Sequence, residues 1–460
     1  MCEISDRVVE AILKAGSIYE VGGAVRDRML NRNIEVKDRD YLVCGIDYRE
    51  LSDILKKFGQ VDLVGRSFGV IKYTEYHDDT PCTFDIVLPR KEFSTGVGHR
   101  DFSVTFDPGL KVEDDLLRRD FTINAMAVSL ENDKLIDPYG GMTDLKNKCI
   151  RMVSPDSFPE DPLRMLRAVQ FAARFEFEIE PATLSAMTEH ARLIKTISPE
   201  RIAEELNKML TLADRPSIGF RLMLENGLLE HVIPEMMEMI DVDQPGGYHK
   251  YDVFNHTLYA VDASPKILHV RLAALFHDIA KPQTRHVLNE DKATFYGHES
   301  IGARTAARIM KRLRYSTEMI QNVKMLVERH MFTTEVTDRG LRRLVRRVGK
   351  ELIFDLLDLR RADVEAQGMG GRTDDVDQFE ADIRAELERK PPFSFSDLAI
   401  GGHDIMTIFG IPQSPLIGEV LDYLMEKVLD DPAENERDIL IAHARTYIEN
   451  NAKKENKDQE

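Results

Sequence analysis

Gly22-Gly23-Ala24-Val25-Arg26-Asp27, followed shortly by Asp38-Arg39-Asp40, is the stretch that decides the fold of this chain. The first segment closes an apolar run ending at Val21. Two adjacent glycines let backbone approach a phosphate closely, because neither carries a Cβ. Asp38 and Asp40 stand at i and i+2, so on a strand both point to one face and can share a metal pair. The run Tyr41-Leu42-Val43-Cys44 predicts that strand. Carboxylates on Mg²⁺, with a triphosphate bridging, are the minimum apparatus for nucleotidyl transfer. A glycine turn beside a solvated acidic loop explains either segment alone. Their order and short separation favour the chemical reading.

Working outward, the 460 residues predict about two to four domains. Lys and Arg number 62 against 80 Asp and Glu, a formal charge of −18. That balance argues against RNA binding by the whole surface, so an RNA partner needs local basic patches. Cys2, Cys44, Cys82 and Cys149 are far apart and form no CxxC pair, so neither a disulfide framework nor a zinc knuckle is indicated. Met1 to Gly16 lacks a signal-peptide core, and no apolar run approaches a membrane span. A cytoplasmic protein without a membrane partner is expected; no protein partner is implied.

The architecture expected is α+β: a mixed head followed by an all-α body. Strands are predicted at Ile18–Val21, Asp40–Cys44, Val70–Tyr73, Thr83–Leu88 and Met126–Ser129. After Pro155 helical spacing takes over, at Leu163–Phe175, Ala182–Leu193, Pro199–Leu212 and Ile218–Leu229. Breaks at Gln244-Pro245-Gly246-Gly247 and Lys390-Pro391-Pro392 suggest domains at 1–150, 151–240, 241–385 and 386–460.

Three further segments carry chemistry, two in the head and one just beyond it. Asp85 interrupts the apolar strand around it, and a buried carboxylate needs a partner such as a metal shared with Asp38 and Asp40. An edge-strand acid facing water explains it equally well. Arg118-Arg119 precede Asp120-Phe121-Thr122-Ile123-Asn124; arginine forks suit phosphate, and Asp120 and Asn124 would share a helix face able to hold a ribose hydroxyl. A salt-bridged helix start is the alternative. Asp161 and Arg164 also share a face. Aspartate only accepts and arginine only donates, so the pair suits the amino group and acceptor nitrogen of cytosine or adenine and rejects guanine and uracil. Pro162 at a first-turn position leaves Asp161 as a plain N-cap as the competing account.

Together, Val21–Asp27, Val36–Val43, Arg118–Ala127, Asp137–Leu145 and Glu160–Phe175 closely resemble the class II tRNA nucleotidyltransferases, the CCA-adding enzymes, and the related bacterial poly(A) polymerases. The resemblance implies a polymerase-β-like head with a five-stranded sheet and a helical neck reading the base. Asp38 and Asp40, with Asp85, would be catalytic, and Asp38 and Asp40 would bind Mg²⁺. Gly22, Gly23, Arg26, Arg119, Asp120, Asn124, Asp161, Arg164 and Arg167 would face the nucleotide. Gln170 departs from the pattern, where many members carry arginine. The implied substrates are CTP, ATP and tRNA. A long loop at Lys91–Leu117 argues against a CC-only enzyme, and the acidic tail argues against a poly(A) polymerase. A-adding and poly(A)-adding activity stay as alternatives.

Downstream, His256, His277-Asp278, His298, His330 and Asp363 are residue types that suit a divalent metal. Their order resembles the HD phosphohydrolase domain fused to some CCA-adding enzymes. That resemblance implies His256, His277, Asp278 and Asp363 as ligands of one ion of unknown identity, with His298 and His330 extending the site to a second. The chemistry implied is hydrolysis of cyclic and terminal phosphates on RNA ends, or, as a rival reading, a phosphohydrolase to which the head only delivers RNA. Arg339, Arg343, Arg346 and Arg347 form a stripe at helical spacing that would suit an RNA backbone, although a charged helix face explains it too.

Overall fold

The computed structural model describes residues 3–30, 39–62, 70–78, 80–94, 102–247, 249–289 and 292–457. Asp38 and the centre of the 91–117 loop lie outside the described residues. The chain forms two compact units, Met1–Glu238 with Arg312–Tyr315, and Met239–Lys311 with Ser316–Glu460. The expected boundaries near 150 and 385 thus fall within units, while the one at 240 stands close to the break.

The first unit is built on a mixed sheet ordered β3-β4-β5-β2-β1-β8-β9. Its strands are β1 (Ser17–Val21), β2 (Asp40–Cys44), β3 (Gln60–Asp62), β4 (Val70–His77), β5 (Thr80–Val87), β8 (Ala127–Ser129) and β9 (Leu135–Ile136). In sequence, β6 (Arg90–Ser94) and β7 (Phe102–Phe106) intervene and pair as a separate hairpin, so the segment expected as a loop carries strands. The central strand β2 is covered on both faces. Tyr41 and Val43 join Ile18, Tyr73, Phe84 and the helix Asp6–Leu13 in one core. Leu42 and Cys44 join Val21, Val112, Leu116 and Ala127 in the other. Side chains alternate across a strand, so one short apolar run feeds two cores. All five expected strand segments are present. The sheet exceeds the five strands expected because short edge strands β3 and β9 complete it; exposure of Gln60 and Asp62 explains why β3 left no apolar signal.

Val21 pairs with Asp40, so the glycine turn after β1 and the acid opening β2 emerge at the same end of the sheet. β5 runs parallel to β2 with Asp85 opposite Asp40. Helices Leu163–Phe175 and Pro199–Leu212 occupy the ranges expected and pack against each other in this unit.

The second unit is helical apart from the hairpin β12 (His286–Asn289) and β13 (Lys292–Thr294); the small pair β10 (Cys149–Ile150) and β11 (Glu178–Ile179) belongs to the first unit. Helix Leu268–Phe276 is buried continuously from Val270 to Phe276, with Arg271 donating from Nε to the Ser264 carbonyl. It is surrounded by helices Val253–Ala263, Thr317–Arg329 and Leu352–Ala366. Among the described residues, no helix is long and apolar enough to cross a membrane.

Candidate functional sites

The glycine turn opens onto a cavity of about 710 Å³ in the first unit. Gly22, Gly23, Arg26, Asp40, Arg119, Asp120, Asn124, Asp161, Arg164 and Arg167 all line it, with Arg118 and Gln170. Gly22 adopts φ +79°, and a Cβ there would stand 3.0 Å from Arg119 Nη1 and 3.5 Å from Asp40 Oδ2. A side chain would fill the space between the arginine and the acid, so glycine keeps that cradle open.

Each charged group in this cavity is already held by the protein. Arg26 is 4 % exposed and lies over the rings of Phe171 and Phe175. It donates to Asp27 Oδ1 (2.9 Å) and to Asn124 Oδ1 (2.7 Å). Asn124 donates in turn to Asp120 Oδ1 (3.0 Å), and Arg167 donates to Asp120 Oδ2 (2.7 Å). Burial alone would raise the Asp120 carboxyl; Arg167 and the bonds from Asn124 and the Phe121 N–H outweigh it and hold it below the ordinary range. Residues 120–124 form a bend and a 3₁₀ turn (Thr122–Asn124) rather than the helix face expected, yet the same two side chains meet. Their polar atoms serve this network.

Arg118 and Arg119 both reach Asp115, at 2.8 Å from Arg118 Nε and 3.4 Å from Arg119 Nη2. Asp115 is fully buried and was missed by the sequence reading; a carboxylate four residues before a guanidinium was its signal. Asp161 accepts the Leu163 N–H at 3.2 Å, so the capping account holds in part. Its carboxylate also faces Arg201, 2.9 Å from Nη2. Arg164 donates to the Arg118 carbonyl (2.6 Å) and to Ser157. Arg201, Glu205 and Lys208 line the cavity as well; their spacing on one helix, at i, i+4 and i+7, was the overlooked signal. Gln170 is 2 % exposed, and its Nε2 has no hydrogen-bond partner among the described residues. Of the two accounts of Asp85, the solvent-facing one fits: its side chain is 41 % exposed, with Lys72 Nζ at 3.9 Å. Register still sets it beside Asp40.

In the second unit every expected metal-type residue converges. His256 comes from helix Val253–Ala263, His277-Asp278 from the end of Leu268–Phe276, and His298 from the start of His298–Arg312. His330 follows helix Thr317–Arg329, and Asp363 lies in Leu352–Ala366. His256 Nε2 stands 3.3 Å from His277 Nε2, and His298 Nε2 3.2 Å from His330 Nε2. Asp278 lies between the pairs: Oδ2 is 3.1 Å from His277, and Oδ1 is 3.4 Å from His298. Asp363 Oδ1 is 3.1 Å from His256. The donor atoms of His256, His277 and Asp278, and those of Asp278, His298 and His330, form two groups each spanning less than 4.8 Å.

The backbone acceptors beside three of the histidines select tautomers that could hold a metal. His277, His298 and His330 place Nδ1 2.8, 2.7 and 2.7 Å from the carbonyls of Ala274, Phe295 and Val327. An Nδ1–H donated there leaves each Nε2 lone pair aimed at the cluster, the usual outer-shell arrangement of ligating histidines. Burial pushes His330 down to about 3 and lowers His298, so both are neutral, as ligands must be. Burial lowers His277 too, but Asp278 and Asp363 outweigh it and raise it; a cation in the cluster would replace that proton. His249 was missed: its ring stands 4.6 Å from that of His256.

The arginine stripe is corrected. On helix Asp338–Val348, Arg343 Nε donates to Glu426 (2.8 Å), Arg346 reaches Asp422 (3.0 Å) and Glu426, and Arg339 pairs with Asp430. These acids sit on Pro415–Asp430, so three of the four cations are spent on the protein's own carboxylates; Arg347 is exposed. Charge satisfied internally does not release counterions from RNA.

Comparison with known proteins agrees with the head geometry. The model described as poly(A) polymerase head domain matches residues 18–151. One described as "Probable RNA and SrmB-binding site of polymerase A" matches 176–240, and a tRNA nucleotidyltransferase domain 2 model matches 293–444. The multifunctional CCA protein of Mannheimia succiniciproducens is 34 % identical over 68 % of this chain and 74 % of its own length. The fold resembles that of the Bacillus stearothermophilus CCA-adding enzyme solved with CTP, at TM-score 0.71 and 23 % identity over 96 % of this chain and 97 % of that one. It also resembles the Thermotoga maritima CCA-adding enzyme solved with tRNA, at TM-score 0.53 and 20 % identity over 96 % of both chains. The chain belongs to the class II CCA-adding enzyme and poly(A) polymerase family. It is a nucleotidyltransferase, and members of its class use a divalent metal, typically Mg²⁺, in the head.

Proposed function

We propose that this chain adds CCA to the 3′ end of tRNA from CTP and ATP, without a nucleic-acid template. The observation that carries this is the convergence of the glycine cradle, Asp40, Arg119, Asp161 and Arg164 on one cavity. The tRNA 3′-hydroxyl attacks the nucleotide α-phosphate and pyrophosphate leaves. Asp40, with Asp38 and the neighbouring Asp85, offers the oxygen donors that suit Mg²⁺. A bound ion there would activate the hydroxyl and neutralise charge on the leaving group. Arg26 and Arg119 face the phosphates with guanidinium forks already oriented, which reduces the entropy lost on binding. Arg164 donates to the acceptor nitrogen of the base, and Asp161 accepts from its amino group. A carboxylate has about four lone-pair sites, so Asp161 can keep Arg201 and receive a base. The fit with CTP and tRNA is supported by the relatives solved with them.

The test is incorporation on a tRNA lacking its 3′ end, with CTP, ATP or both. Two C residues, one A and a stop are expected. One A added only after an existing CC would indicate an A-adding enzyme, and long A tails a poly(A) polymerase. Cytoplasmic location is proposed with this role.

A second reading concerns the second unit: an HD-type phosphohydrolase acting on 2′,3′-cyclic and terminal phosphates of RNA ends. It is favoured by Asp278 standing between two histidine pairs. His256, His277, Asp278 and Asp363 would hold one divalent ion, and His298 and His330 with Asp278 a second. Such ions would supply an activated water and polarise the phosphoryl group. Removing a terminal phosphate would expose the hydroxyl that CCA addition requires. Hydrolysis of a 2′,3′-cyclic phosphate that disappears in His277→Ala tests it.

A further inference from the structure

The wall above the histidine–aspartate cluster holds an unusual side chain. Tyr296 is 87 % exposed, more than any other large hydrophobic side chain described. It lines the cluster's cavity, of about 540 Å³, in the turn between β13 and the helix that begins at His298. Gly297, at φ +79°, closes that turn immediately before His298, so the position of the tyrosine is tied to a residue of the cluster. Phe295 lies on the same wall. Met331, 59 % exposed, follows His330 and also lines the cavity. The floor is of opposite character. Asp278, His298, His330 and Asp363 are buried there, beside the cations Lys281 and Arg360. Lys281 Nζ is 2.6 Å from both Asp278 Oδ2 and Gln244 Oε1.

An aromatic mouth over a metal-type and cationic floor fits a ligand with a flat face at one end and a phosphate at the other. The volume is that of a single small-molecule site rather than of a helix end. We propose that Tyr296 stacks the base of the ribonucleoside phosphate that the phosphohydrolase reading puts in this cavity; the proposal rests on that reading. Stacking on an aromatic ring accepts any base, which suits a site processing RNA ends of varied sequence. The phosphate end points to the cluster, Lys281 and Arg360.

The experiment compares wild type, Tyr296→Ala and Tyr296→Phe as full-length chains. Hydrolysis of adenosine 3′-monophosphate is measured against glycerol 2-phosphate, a monoester with no base, in Mg²⁺, Mn²⁺, Co²⁺ or Ni²⁺. Calorimetric Kd values are measured for adenosine 3′-monophosphate and for inorganic phosphate. Tyr296→Ala should lower the kcat/KM ratio of nucleotide to glycerol phosphate about tenfold or more, mainly through KM, and weaken nucleotide binding equally. Phosphate binding should be unmoved, and Tyr296→Phe should restore both quantities. An unchanged ratio with an unchanged nucleotide Kd overturns the proposal. If wild type turns over neither ester nor adenosine 2′,3′-cyclic phosphate yet binding still depends on Tyr296, the phosphohydrolase reading falls and the nucleoside site stands. A parallel arm uses tRNA ending in a 3′-phosphate. Loss there together with the mononucleotide assigns the site to RNA ends; loss with the mononucleotide alone assigns it to free nucleotides.

Discussion

The two cavities handle charge in opposite ways. In the cavity beside the glycine turn most cations have a carboxylate or amide oxygen from the same chain: Arg167 with Asp120, Arg201 with Asp161, Arg26 with Asp27 and Asn124. That cavity is polar, and under the proposed function a nucleotide would join a network that already stands. In the histidine–aspartate cluster, His256, His277, Asp278 and His330 are at most 1 % exposed, and imidazole nitrogens face one another. Burial alone would raise Asp278, yet His277 and Lys281 hold it well below the usual carboxylate range. Such a cluster is poorly satisfied without a cation, whereas the arginine network is satisfied without a ligand. The first should therefore lose function gradually as side chains are removed, apart from the carboxylates proposed to hold Mg²⁺. The second should fail as a unit.

The largest effect that would break this contrast is at Asp40. Asp40→Ala should lower nucleotide addition by roughly 10³-fold and leave phosphoester hydrolysis intact, with His277→Ala doing the reverse. Loss of both activities in either variant would show that the regions do not act separately. Next, Arg164→Ala should reduce discrimination of CTP and ATP against GTP and UTP by roughly tenfold to a hundredfold in kcat/KM. Preserved selectivity would remove Arg164 from base reading.

Metal sharpens the comparison further. Adding Mn²⁺ to a chelator-treated chain should raise the Tm of the second unit, by about 2.7 kcal/mol of stabilisation at a hundredfold excess over Kd. The rise should vanish in Asp278→Ala, and a Tm that ignores metal would sink the cluster as a metal site. Asp120→Asn should cost about 2 kcal/mol at neutral pH, because a charge-assisted bond to Arg167 is lost. Its folded pKa is depressed, so the stability it contributes is present above the unfolded carboxylate value and is lost as pH falls through the folded value. Wild type should therefore lose more stability than Asp120→Asn between about pH 5 and pH 2, seen in denaturant titrations. The smallest effect is expected at Arg343→Glu: a stability change within about 1 kcal/mol and no change in the salt dependence of tRNA binding. A flattened salt slope would return the stripe to the RNA surface.

Legibility followed the same division. Helices Leu163–Phe175 and Pro199–Leu212 were readable to the residue because their apolar positions repeat at helical spacing. β2 was readable because Tyr41 to Cys44 are all buried. Exposed edges such as β3 and the β12–β13 hairpin carry no such pattern and were missed. The four-residue spacing of Asp120 and Asn124 suggested a helix. The chain instead turns there, with the Phe121 N–H bonded back to the Asp120 carboxylate, a local competitor of helix formation. The stripe Arg339–Arg347 was correctly read as one helix face, but its partners lie on a helix far along the chain.

The order of motifs along the chain was enough to place this protein in its family and to name many side chains that line the first cavity and those that gather in the histidine–aspartate cluster, because backbone periodicity and residue chemistry are local properties. The partners of those side chains were not local. Asp161 meets Arg201, Arg343 meets Glu426, and Asp278 stands between His277 and His298 only after folding. Electrostatic energy depends on distance through space and on burial, and neither can be counted along a sequence. For that reason folding settled which cations remain available to a ligand, and gathered residues from His256 to Asp363 into one cluster.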